Sequence, residues 1–214
     1  GKYDLHVVLF AKDYTEFDNF MDDINKQFPG LIQDTKACYG LEHRIYHHKY
    51  MGGGDSCFSY SSSDALVDVD AIDLDILRML KDDCRLSSLD IAKGKDYSYR
   101  TVMNRVKALE EKKVILGYRL YLKSVDEKPY MLLFSFKNYS RKDETALLGH
   151  IGALPASTQL VRMFGLWNVF VSVRAKSMEE VQQMVIDLRG KFDIIDDYEV
   201  IPVFEDISIN LMPM

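Results

Sequence analysis

The chain has 214 residues, a net charge of −6, 47% hydrophobic and 28% charged residues, a globular composition that suits one large domain or two to three small ones. No run approaches the ~18 to 20 apolar residues that span a membrane. The three cysteines, Cys38, Cys57 and Cys84, lie far apart and make neither a disulfide framework nor metal-ligand spacing. Together with opening residues that lack the pattern of a secretory leader, this gives the expectation of a reduced, cytoplasmic protein with no membrane partner, metal or cofactor.

In chain order, Leu5 to Leu9 reads as a strand and Glu16 to Phe28 as an amphipathic helix, with Phe17, Phe20, Met21, Ile24 and Phe28 at helical spacing. A strand follows, and the extended reading continues from Glu42 to Tyr50. Residues 52–69, within a stretch of three consecutive glycines and five serines, read as a flexible linker, because Gly and Ser add little packing and lose much entropy on ordering.

Residues 70–125 are the informative part. Although the whole chain is acidic, residues 71–128 hold 13 Lys and Arg against 10 Asp and Glu, and local positive charge is what phosphate contacts need. Ala71 to Lys81 is an apolar-periodic helix. Arg85-Leu-Ser-Ser breaks it, and Ser87 or Ser88 caps a short second helix through Ala92. The turn Lys93-Gly-Lys-Asp-Tyr follows, and Ser98 caps a third helix reaching about Lys112. Val114 to Leu122 then resumes as strand, in the position of a wing.

The third helix has two faces. At 100° per residue, Val102, Val106 and Leu109 fall within about 60° of one another and form a core-facing stripe. Arg100, Asn104 and Lys107 fall within a similar arc on the other side. Major-groove reading asks for this arrangement: Arg pairs bidentately with guanine, Asn with adenine, and Lys or Ser meets phosphate. The candidate DNA contacts are therefore Ser98, Tyr99, Arg100, Thr101, Asn104, Arg105 and Lys107.

Residues 129–212 read as strand (Tyr130 to Phe136), helix (Asp143 to Leu154), strand (Gln159 to Phe164), strand (Val169 to Val173), helix (Met178 to Phe192) and strand. This is a split βαβ pair with an antiparallel sheet. Its second half repeats the start of the chain at an offset of 164: Gly1 falls on Gly165, Tyr3 on Trp167, Asp4 on Asn168, Ala11 on Ala175, Lys12 on Lys176 and Phe28 on Phe192. Residues 1–51 thus read as the second half of another such unit. The preferred expectation is a fragment whose upstream portion is absent from this sequence. The alternative is a native half-domain that borrows strands from a partner chain, since a half-sheet exposes unpaired edges.

With these residues in place, the chain resembles the Lrp/AsnC (feast/famine) transcription regulators. Asp73-Leu-Asp-Ile-Leu, Arg85-Leu-Ser, Ile91-Ala92, Ser98 followed by Thr101-Val102, and Arg105-Val-Lys-Ala-Leu-Glu followed by Val114-Ile stand at that family's spacing. Gly165-Leu-Trp-Asn stands for its Gly-x-Tyr-Asp turn, which Gly1-Lys-Tyr-Asp keeps intact. The resemblance implies an α+β chain: a winged helix-turn-helix joined to a ferredoxin-like βαββαβ domain, preceded by half of a second such domain. It also implies a sequence-specific DNA-binding regulator, not an enzyme, that senses a small, amino-acid-like metabolite as a homo-oligomer, dimer or higher, on double-stranded DNA. Effector contacts then fall on Gly165, Trp167, Asn168, Tyr3 and Asp4. There are departures: Lys113 replaces the glycine that usually closes the recognition helix, Lys95 and Asp96 replace an apolar-glycine pair, and Asn168 replaces the usual Asp.

Two other readings fit parts of this pattern. One is an enzyme of the same architecture, like the siroheme decarboxylases, but their His-Asn-Tyr run is absent near Gly30-Leu31, where this chain has Ile32-Gln-Asp-Thr. The other is an effector-binding module that has lost DNA affinity. A metal site at His43, His47 and His48 is disfavoured, because His43 and His47 stand ~13 Å apart along one strand face.

Overall fold

A computed structural model describes residues 3–47, 57–65, 67–118 and 126–205. The N-terminal part gives α1 (Tyr14–Gln27), β1 (Cys38–Tyr46) and β2 (Cys57–Ser61). Three helices follow, α2 (Ala71–Asp82), α3 (Ser88–Lys95) and α4 (Tyr99–Glu111). The C-terminal part runs β3 (Lys128–Phe136), α5 (Arg141–Ala153), β4 (Ser157–Gly165), β5 (Val169–Ala175), α6 (Met178–Lys191) and β6 (Ile195–Pro202).

The six strands form one antiparallel sheet in the order β2-β1-β4-β5-β3-β6. Its last four members are the ferredoxin-like βαββαβ unit. Strand alternation sends Tyr130, Leu132, Phe134, Leu160, Val169, Val171 and Val173 to one face. There they meet Leu147, Leu148 and Ile151 of α5 and Val181, Val185 and Leu188 of α6 in one buried cluster. Both helices start on a serine whose hydroxyl accepts a backbone N–H, Ser140 from Asp143 and Ser177 from Glu180. Beneath α5, Glu144 is buried and held by Arg141 at 2.8 Å and by Arg162 of β4 at 3.0 Å. That arrangement is how a carboxylate is kept inside a core edge.

The three central helices enclose a second, smaller core of Ile76, Leu80, Ile91, Ala92, Val102 and Leu109. Asp70 caps α2 in a reciprocal capping box with Asp73, and Ser87 does the same for α3 with Asp90.

Four expectations are corrected. Leu5 to Leu9 forms no strand; Leu5 and Val7 are exposed, while the ring of His6 stacks on Phe170 of β5 at 5.3 Å. The strand after α1 begins only at Cys38, and residues 33–37 are irregular. Cys57–Ser61, expected within a flexible linker, is strand β2, paired with β1 from Glu42↔Ser61 to Tyr46↔Cys57. Its aromatic side chains explain this: Tyr60 stacks on His43 at 4.5 Å and Phe58 meets His47 edge-on at 4.7 Å, cross-strand contacts that offset the entropy of ordering a serine-rich segment. The wing is the fourth case. Residues 114–118 are not strand, and residues 119–122 lie outside the described residues.

Candidate nucleic-acid interface

Helix α4 is positioned by its ends and by its apolar stripe. The Ser98 hydroxyl accepts the Thr101 N–H at 3.0 Å and sits 2.7 Å from the Thr101 hydroxyl, so Ser98 and Thr101 form the N-terminal cap. At the other end the Lys113 N–H reaches the Glu110 carbonyl at 3.0 Å and the Val114 N–H the Leu109 carbonyl at 2.9 Å. This is a Schellman closure, with Lys113 in the left-handed region at φ +57°. A side chain there is strained and glycine is not. Lys113→Gly is therefore expected to stabilise the chain by ~0.5 to 1 kcal/mol, read as a higher urea midpoint with an unchanged slope.

Between these ends Val102 and Leu109 are buried and Val106 packs against the same core. The opposite face carries Arg100, Asn104 and Lys107, all exposed. Among the described residues neither Arg100 nor Asn104 has a hydrogen-bond or ion-pair partner. Lys107 has only Glu111, at 3.7 Å on an open surface, a contact of little energetic weight. Tyr99 is half-exposed at the start of the helix, beside Ser98.

Arg105 departs from the expected set. Its guanidinium lies 2.8 Å from Asp70 and 3.3 Å from Asp73, tying α4 to the cap of α2. It is a positioning residue, and the reason is one of angle: five residues beyond Arg100 the helix has turned about 500°, so Arg105 leaves the open face. Arg105→Ala is expected to lower the stability of the three-helix unit, since it leaves the nearly buried Asp73 without its cation. A thermal melt of the protein without DNA measures this.

A second tie was not legible in the sequence. Asp75 of α2 accepts from the Lys95 ammonium and the Tyr97 hydroxyl, each at 2.9 Å, bridging α2 to the turn before α4. Those two hydrogen bonds, the lysine's first, hold the Asp75 carboxyl below the usual carboxylate range. A depressed folded pKa contributes stability above the unfolded value of about 4, and that contribution is lost as pH falls through the folded value. Between pH 5 and 2, Asp75→Asn is expected to flatten the acid-induced fall in melting temperature. The turn itself is shorter than expected, since α3 continues to Lys95 and Asp96 takes the left-handed position at φ 56°.

The turn expected to meet an effector lies between β4 and β5. Gly165 has φ +139°, and a Cβ there would sit 3.2 Å from the Ala37 carbonyl and 3.3 Å from the Cys38 Cα, so the start of β1 lies against it. Trp167 is buried, and its indole N–H has no acceptor among the described residues. Asn168 pins the turn: its side-chain oxygen accepts the Phe136 N–H at 2.8 Å, and its main chain bonds to Met163 and Phe134. Tyr3 is half-buried and Asp4 exposed on the N-terminal segment, which makes no strand turn of this kind. His43 and His47 face aromatic rings, and His48 lies outside the described residues. No group of three or more His, Cys, Asp or Glu stands in metal-binding array among the described residues. No helix among them is long and apolar enough to cross a membrane.

Residues 69–115 match a family model described as winged helix-turn-helix DNA-binding. Over 125 residues, covering 56% of this chain and 80% of the relative, the sequence is 31% identical to the leucine-responsive regulatory protein of Rhizobium meliloti (strain 1021). The fold is similar to that of E. coli AsnC, at TM-score 0.58 and 22% identity over 68% of this chain and 99% of that one. It is similar also to B. subtilis LrpC, at 0.57 and 22% over 67% and 100%. A Neisseria meningitidis transcriptional regulator in complex with L-Met aligns at 0.60 and 17% over 67% and 95%. The Rhizobium meliloti relative is named as a regulatory protein and the Neisseria meningitidis one as a transcriptional regulator. A chain with this helix-turn-helix, this βαββαβ sheet and this degree of identity belongs to the Lrp/AsnC family of DNA-binding transcription regulators.

Proposed function

We propose that the protein is a cytoplasmic, sequence-specific regulator that reads a duplex through Arg100 and Asn104, is oriented on phosphate by Ser98, Tyr99, Thr101 and Lys107, and is tuned by an amino-acid-like effector. The observation that carries the DNA part is the exposed Arg100–Asn104–Lys107 face on a helix pinned at both ends. A helix fixed at both ends pays little backbone entropy on binding, and one bidentate Arg–guanine pair distinguishes that base pair from the others. One such helix offers few contacts. A homo-oligomer that sets two α4 helices ~34 Å apart supplies the rest, on a site with two-fold symmetry. Gel-shift titration of a selected duplex against salt tests this. A slope of log affinity on log salt that is unaffected by Lys107→Ala argues against the phosphate role, since one lost phosphate contact lowers it by about 1.

The effector reading rests on the 165–168 turn. A buried donor without an acceptor is costly, and the Trp167 N–H fits the carboxylate that every free amino acid carries. The Asn168 oxygen is occupied by Phe136, so this chain's turn offers Trp167 and backbone donors more than the Asn168 side chain. A Neisseria meningitidis relative of this fold was solved with L-Met, which makes amino acids the first compounds to try. Calorimetric titration of the L-amino acids is expected to find at least one binder. Trp167→Phe, which keeps the ring and removes the donor, is expected to weaken it by ~1.5 to 3 kcal/mol. Absence of any binder at millimolar concentration, or an unaltered affinity in that variant, overturns the reading.

A further inference from the structure

The sequence repeat has a structural counterpart that leaves the first copy incomplete. α1 and α6 have the same offset of 164 at both ends, Tyr14–Gln27 against Met178–Lys191. The caps match too. Asp13 and Ser177 accept the N–H of Glu16 and Glu180, the Lys12 and Lys176 N–H groups reach those same glutamates, and Phe28 and Phe192 close the two helices. The apolar faces coincide, with Phe17, Met21 and Ile24 standing where Val181, Val185 and Leu188 stand in α6.

Their fates differ. Val181, Val185 and Leu188 are all buried, whereas α1 buries no residue. In the complete copy Val169 and Val171 are fully buried; their counterparts Leu5 and Val7 are 65% and 54% exposed and form no strand. The reason lies in the sheet order. β5 and β6 do not touch each other, and both pair with β3, which lies between them. Among the described residues the counterparts of β5 and β6, residues 5–11 and 32–39, have no such central strand between them, and Cys38 and Tyr39 pair with β4 instead. Without that common neighbour residues 5–11 and 32–37 form no strand, and the helix above them has no floor.

We propose that residues 3–39 are a docking half, completed by a strand–helix–strand segment of the β3–α5–β4 kind that inserts its apolar central strand between residues 5–11 and 32–39 and seats them under α1. Charge supports that occupant. Residues 128–165 carry five Lys and Arg against two Asp and Glu, while residues 166–205, the half they close against, carry four against eight. Residues 3–39 carry three against seven, the same acidic excess of four, so the segment that suits one suits the other by both shape and sign.

The test extends the full chain by a second copy of residues 128–164 placed directly before Gly1, which recreates the Phe164–Gly165 junction. Hydrogen exchange is followed over residues 5–11, α1 and the C-terminal sheet. The expected result is at least tenfold slower exchange in residues 5–11 and α1 of the extended chain, with the C-terminal sheet unchanged, and loss of that gain in Met21→Asp. Three results overturn the proposal. In the first, residues 5–11 exchange equally fast with and without the extension while the C-terminal sheet stays protected. In the second, α1 is already protected in the unextended chain at every concentration. In the third, protection rises with concentration in the unextended chain, which assigns the face to a second copy.

Discussion

Arg100→Ala is expected to weaken binding to a specific duplex by ~1 to 3 kcal/mol and to relax the preference at one base pair. The geometry sets that size. Arg100 is exposed and without a partner among the described residues, so the change removes no internal contact and the protein should melt at the same temperature. All of the loss then belongs to the interface. Lys107→Ala should instead weaken all duplexes alike. Arg105→Ala should show in the melt before it shows in the gel, because its guanidinium is held by Asp70 and Asp73. Equal affinity of Arg100→Ala and the unaltered protein for the selected duplex, at low salt and at high, would remove the basis for placing α4 in the groove.

Leu188→Ala should cost ~2 to 5 kcal/mol of unfolding free energy, whereas Ile24→Ala, its counterpart in the repeat, should cost less than about 1 kcal/mol. The two residues share a helix position and a preceding aspartate, and their helices are capped in the same way. They differ in burial: Leu188 is 2% exposed in the core beneath α6, and nothing in α1 is buried. Truncating Leu188 opens a cavity among Val181, Val185 and the strands; truncating Ile24 trims a surface. Urea unfolding of the two variants checks the pair. Similar losses in both would mean that α1 is seated on a core of its own.

The parts of this chain legible in the sequence share a physical property: their signal is local. The cap Ser98, the stripe Val102–Val106–Leu109 and the open face Arg100–Asn104–Lys107 all follow from a period of 3.6 residues and from short-range side-chain bonds. The six elements from β3 to β6 follow likewise from alternation and helical spacing. The ion pairs of Arg105 were not legible because its partners, Asp70 and Asp73, are 35 and 32 positions away. The Asp75–Lys95–Tyr97 bridge was missed for the same reason.

By itself the sequence determined the helix-turn-helix, the exposed face of its third helix, the βαββαβ order and the repeat, since each is written in residues close together along the chain. Only the tertiary structure decided which extended segments become strands. Leu5 to Leu9 has the apolar pattern of β5 but stays outside the sheet, for want of a neighbour to take its N–H and carbonyl groups. Cys57–Ser61 looks like a spacer but is ordered, because β1 provides those bonds together with His43 and His47 for its rings. A helix satisfies its backbone internally, and a strand does so only through another strand. The helices could therefore be placed from residues in sequence, and the edges of this sheet could not.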